Sequence, residues 1–107
     1  MIQKTPRWES RRLLDMANGM ACQHCGGQDG TTVMAHSNSH LHGKGGARKA
    51  DDIFVAAMCF VCHSWIDQGR GNDPTGVWLD TEKDEVWRRA HDKTLLALFR
   101  AGKLRVA

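Results

Sequence analysis

Apolar residues in this chain come in short bursts separated by polar, glycine-rich stretches, and their spacing differs from burst to burst. Met1 to Glu9, with Pro6 and several polar side chains, reads as an extended arm ending near Arg7 and Trp8. From about Ser10, Leu13, Leu14 and Ala17 recur at helical spacing while Arg11 and Arg12 fall elsewhere, and Asn18-Gly19 offers a stop. Thr31 to Ala35 is β-branched and apolar, which predicts a strand delivering His36 at its end. The unbroken apolar run Ile53 to Met58 predicts a buried strand that pairs with the first across the intervening loop. A short helix is expected over His63 to Gln68, closed by Gly69. The glycine- and proline-bearing stretch 70–79 predicts an irregular loop anchored by Val77 and Trp78. The longest helix is expected over 81–101, with Thr81 as cap and acidic residues in its first turn. Trp87, Ala90, His91, Thr94, Leu95, Leu98 and Phe99 form its apolar stripe, and Gly102 ends it. Trp65, Trp78 and Trp87 are expected in the core.

This order of elements predicts an α+β fold in one domain spanning 1–107, with a core over about 20–69. A chain of 107 residues buries only about 60 to 70% of its unfolded surface, so its core is thin. No secretory signal and no apolar run of membrane-spanning length is visible, so the expectation is a soluble, cytoplasmic protein with no membrane partner. In that compartment thiols stay reduced. Fifteen Lys and Arg against 12 Asp and Glu give a formal charge of +3, which permits a nucleic-acid partner without requiring one. The histidines say more: His36, His40 and His42 crowd into one loop.

The four cysteines fall into two C-x2-C pairs, Cys22/Cys25 and Cys59/Cys62, with a 33-residue interval between them. Four thiolates around one tetrahedral Zn²⁺ is the economical reading, and such a site would supply folding free energy that a thin core lacks. Gly26 and Gly27 free the backbone to turn beneath the metal. Two rivals are disulfides within the pairs and c-type haem attachment at the C-x-x-C-H of Cys59 to His63; the latter leaves Cys22 and Cys25 without a role. His24 is expected on the knuckle surface and His91 as a partly packed helix residue.

Ala35-His36-Ser37-Asn38, Gly43-Lys44-Gly45 and Cys62-His63, set on the paired cysteines, carry a resemblance. The stretch Cys22 to Gly69 resembles the HNH endonuclease superfamily, also called ββα-metal or His-Me finger nucleases, in the branch with a four-cysteine zinc scaffold. The whole chain is further similar to small nuclease-like proteins encoded by phages and prophages. The resemblance implies a zinc-supported, treble-clef-like ββα core with flanking N- and C-terminal helices. In that family a histidine ends the first strand, an Asn, Asp or His lies near the second, and a last histidine follows the second C-x2-C. His36, Asp52 and His63 stand at those places here.

The resemblance implies phosphodiester hydrolysis, with DNA as substrate and RNA as the alternative. A neutral imidazole takes a proton from water near neutral pH, which suits His36 as general base. A divalent cation, Mg²⁺ or Mn²⁺, would neutralise the charge on the departing oxygen, with Asp52 and His63 as ligands and the zinc purely structural. Many family members carry an acidic ligand just before the base histidine, and this chain has Ala35 there. Asp51 or Asp52 from the other strand, or His42 or His40, is left to supply it. Lys44, Arg48 and Lys49 would hold the nucleic-acid backbone, and Asn38 would orient the base or contact phosphate. Arg88, Arg89, Lys93 and Arg100 read as a solvated helix face. The rival from another class is a zinc-binding DNA or protein adaptor without catalysis.

Overall fold

The computed structural model describes residues 7–39, 42, 44 and 50–105. In chain order these form helix α1 (Arg11–Asp15), strands β1 (Val33–His36) and β2 (Val55–Met58), helix α2 (Phe60–Gln68), a 3-10 turn at Asp80–Glu82, and helix α3 (Lys83–Arg100). Ser10 caps α1, its hydroxyl accepting from the Leu13 amide at 3.2 Å. The helix stops at Asp15, short of the Asn18-Gly19 boundary, and residues 16–19 continue as turns.

The two strands pair antiparallel, with Val33 opposite Met58 and His36 opposite Val55. Alternate strand residues face opposite sides. Met34, Val55 and Ala57 therefore join Leu13, Ala17 and Leu98 on one side, while Ala35, Ala56 and Met58 join Trp65, Ile66, Val86, Trp87 and Ala90 on the other. Burial on both faces is why β2 reads as an unbroken apolar run.

A bare hairpin leaves strand edges open. Here α3 covers the edge of β2: the Ala57 amide donates to Thr94 Oγ1 at 2.9 Å, and His91 Nδ1 lies 2.7 Å from the Val55 carbonyl, to which it donates. The Ala57 carbonyl accepts from the Gln23 amide at 2.8 Å, which ties the first cysteine turn to the same strand.

α2 begins at Phe60 with Cys59 as its N-cap, three residues earlier than the sequence suggests, so Cys62 and His63 lie within the helix. Gly69 ends it for reasons of space rather than handedness. Its φ is −68°, and a Cβ there would stand 2.4 Å from Trp65 Cδ1 and 2.6 Å from Trp65 Cα. Thr81 does not cap α3. The 3-10 turn precedes the helix, and the Glu82 carboxylate accepts from the Leu79 amide at 2.9 Å. Val86, Trp87, Ala90, Thr94 and Leu98 are the buried face, and this register turns Phe99 outward at 45% exposure.

The loop 70–79 is held by Asp73 and Trp78. Val77, expected as an anchor, is 72% exposed. Buried Asp73 accepts from the Val77 amide at 3.0 Å, the Trp78 amide at 2.9 Å and Thr75 Oγ1 at 2.7 Å, and it also pairs with His24. His24 is thus a clamp between the cysteine turn and this loop rather than a knuckle surface residue. Burial opposes ionisation of Asp73, but these donors outweigh it and hold the carboxyl far below the usual range. No helix among the described residues is long and apolar enough to cross a membrane.

Candidate functional site

The hairpin and α2 bring both cysteine pairs together. The four Sγ atoms lie within 4.8 Å of one another, and Cys25 Sγ stands 3.8 Å from Cys59 Sγ. A tetrahedron of 2.3 Å zinc–sulfur bonds places its sulfurs about 3.8 Å apart. None of the four is in a disulfide. Amides of Cys25 and Gly27 point at Cys22 Sγ (3.5 Å) and Cys25 Sγ (3.4 Å). A Cβ on Gly27 would come within 3.3 Å of Cys25 Sγ, a tight approach that the glycine avoids. Hydrogen bonding from Cys62 brings the Cys22 thiol down to about 4, and the same contact drives Cys62 up. Four thiolates this close would repel one another, and a dication at their centre would offset that charge. The cluster can hold a structural metal ion such as zinc.

At the other end of the hairpin, β1 presents His36 at its last position and the turn before β2 presents Asp52. His36 Nε2 lies 2.7 Å from Asp52 Oδ1. That oxygen also accepts from Arg7 Nη2 at 2.6 Å, and Oδ2 accepts from the Ser10 amide at 2.6 Å. Arg7 Nε donates to the Ala50 carbonyl at 3.0 Å, and the Asp52 amide donates to the Trp8 carbonyl at 2.9 Å. The arm before α1 is therefore stitched to the turn that carries Asp52. At 2% exposure, Asp52 would be driven toward its neutral form by burial; the bond from His36, the Ser10 amide and the Arg7 charge outweigh that and leave its carboxyl below the usual range.

His63 finds a different carboxylate. Its Nε2 stands 3.1 Å from Asp67 Oδ2, one turn further along α2. Asn38 Nδ2 donates to Asp67 Oδ1 at 3.3 Å, and Lys44 Nζ donates to Asn38 Oδ1 at 3.1 Å. The polar loop is thus linked to the His63 face of α2 through Asn38. Among the described residues the four cysteines alone bring three or more His, Cys, Asp or Glu donors together; His36, Asp52 and His63 do not form such a group.

His42 packs inward. Its ring stacks on Phe54 (centroids 4.2 Å apart, 11° between planes) and lies 5.6 Å from Trp87, which stacks on His91 at 5.0 Å. Its Nδ1 is 2.6 Å from Ser37 Oγ. Burial, and then the neighbouring His91, lower its pKa below the ordinary value. His42 packs against Phe54 and Trp87 in this arrangement and is not a solvent-facing ligand. His40, Arg48 and Lys49 lie outside the described residues.

The sequence singled out His36, Asp52, His63, Asn38 and Lys44, and the structure gathers them into two contacts rather than one: His36 with Asp52, and His63 with Asp67, Asn38 and Lys44. Two participants were missed. Asp67 stands four residues after His63 on a helix, a spacing that signals a shared face. Arg7 carries no local signal, since it reaches Asp52 across 45 positions.

No family model matches the chain, and no curated protein matches it. A solved structure does, that of "a putative bacteriophage protein" from Escherichia coli strain K-12 substrain MG1655. The similarity covers 83% of this chain and 98% of that one, with a TM-score of 0.55 and 21% sequence identity. At that identity the likeness is one of fold.

Proposed function

We propose that this chain is a metal-dependent endonuclease of the HNH type that hydrolyses DNA phosphodiester bonds, with His36 as its general base. The observation that carries the reading is the 2.7 Å contact between His36 Nε2 and a buried, doubly anchored Asp52. A ring that commits its Nε2–H to a fixed carboxylate keeps Nδ1 as the acceptor, the form that takes a proton from water. Asp52 acts as the orienting carboxylate, because both of its oxygens already accept hydrogen bonds.

In this reading the carboxylate absent at Ala35 is supplied by Asp67. His63 Nε2 and Asp67 Oδ2, 3.1 Å apart and both partly exposed, would hold Mg²⁺ or Mn²⁺. When bound, that ion would supply positive charge opposite the leaving oxygen. Asn38 and Lys44 stand beside the pair and would contact the phosphate backbone. A zinc held by the four cysteines would keep the hairpin and α2 in register and take no part in hydrolysis.

The test is nicking of supercoiled plasmid in Mg²⁺ or Mn²⁺, with RNA substituted in a parallel arm. His36→Ala should abolish nicking while zinc content and circular dichroism stay those of the parent; undiminished cleavage would remove the base assignment. A second reading has its own support, since Ala35 is buried and no second three-donor group forms among the described residues. In that case the chain is a zinc-binding DNA or protein adaptor that shifts DNA and never cuts it.

A further inference from the structure

Phe60 is 65% exposed at the first position of α2 and belongs to neither core. Residues at i, i+3, i+4 and i+7 of a helix share one side, which places Phe60 with His63, Ser64 and Asp67. Those four line one open cleft of about 580 Å³, together with Trp65. The Phe60 amide donates to Thr31 Oγ1 at 2.9 Å, so the residue stands on a pinned helix start. Packing gives no reason for a large ring in water beside a histidine–carboxylate pair.

We propose that Phe60 is a stacking platform for an unpaired nucleobase, which makes single-stranded or locally unwound nucleic acid the substrate of this site; the proposal rests on the nuclease reading above. A base inside a duplex has both faces covered by its neighbours, and only an unpaired one offers a face to an aromatic ring. The cleft volume falls in the range that takes a nucleotide-sized ligand. Lys44, linked through Asn38 to Asp67, sets a cation near the cleft where the backbone of such a strand would run. A protein partner seated on Phe60 would have to cover the adjoining Asp67 and His63, which is unfavourable for a charged group left without a new partner. A base stacked on the ring leaves them in contact with water and phosphate.

Fluorescence anisotropy without added divalent ion separates the possibilities, using a labelled single-stranded oligonucleotide, its duplex, and the same strand with abasic sites. Phe60→Ala should weaken binding of the single strand by about five- to 150-fold, the range of one lost base stack, and change the duplex and abasic strands by less than about twofold. Phe60→Trp should restore binding. Equal losses on all three probes, or none, overturn the proposal. So does a parent dimer that Phe60→Ala dissociates while oligonucleotide binding is unchanged, which would make the ring a self-association contact. A parent that cuts DNA while Phe60→Ala binds single strands as well as it does removes this inference alone. A parent that binds none of the probes overturns the proposal, and one that also leaves plasmid uncut in Mg²⁺ or Mn²⁺ removes the nuclease reading with it.

Discussion

His36 Nε2 and Asp52 Oδ1 lie 2.7 Å apart, and what holds them there is a residue from the far end of the chain, Arg7, which donates to the same oxygen at 2.6 Å. Asp52 is 4% exposed at its side chain and Arg7 20%. Arg7→Ala would leave the carboxylate buried without its cation, and a broken pair of this kind costs about 3 kcal/mol or more. Urea unfolding should show that loss. The Asp52 contribution also has a pH signature: its folded pKa is depressed, so its stabilisation is present above the ordinary carboxylate value and disappears as pH falls through the depressed range. A loss well under 1 kcal/mol for Arg7→Ala would show the pair to be solvated and Asp52 to be held by other means.

Metal removal is expected to be far more damaging than any of these substitutions. The four sulfurs converge at the junction of the hairpin, α2 and the first cysteine turn, and Cys22, Cys59 and Cys62 are all buried in the core that includes Trp65 and Trp87. A structural zinc in so small a fold contributes on the order of 10 kcal/mol. Purified protein should contain one zinc per chain and show no haem absorption. Stripping the zinc, or Cys62→Ser, should abolish the cooperative thermal transition.

Acidification should destabilise the fold through His42. Its folded pKa lies below the ordinary 6.5 because burial, and then the nearby His91, disfavour the charged ring. The unfolded chain therefore binds the proton more readily, and stability falls as pH drops below about 6.5, levelling off once the folded pKa is passed. His42→Phe keeps a ring against Phe54 and Trp87 and should flatten this part of the pH–stability curve, read by thermal unfolding between pH 7.5 and 5. Parallel curves for parent and variant would show that His42 is already solvated.

Gly69→Ala tests the close packing at the end of α2. The added methyl would meet Trp65 Cδ1 at 2.4 Å and Trp65 backbone at 2.6 to 2.8 Å, so either the indole or the chain must shift. A destabilisation of about 1–3 kcal/mol is expected, with a change in tryptophan fluorescence. If stability and fluorescence both stay as in the parent, the close approach at Trp65 is not required.

Where the physics is local or chemically unambiguous, the order of residues was enough. The paired cysteines announced a cluster able to hold a metal because few other uses fit that spacing, the run ending in Met58 announced a buried strand, and the three-and-four spacing around Trp87 and Leu98 announced the long helix. Its errors at this level were boundaries. α2 starts at Phe60 because Cys59 caps it, and Thr81 yields its capping place to a 3-10 turn closed by Glu82. Tertiary structure alone decided how carboxylates were allotted. Asp52 went to His36 and Arg7, and Asp73 to His24 across 49 positions, whereas Asp67 met His63 by a four-residue helical spacing that the sequence already carries. Arg7 and Asp73 reach their partners across long stretches of chain, and such pairings depend on which segments the cysteine cluster and the two cores bring together. No periodicity in the sequence encodes that.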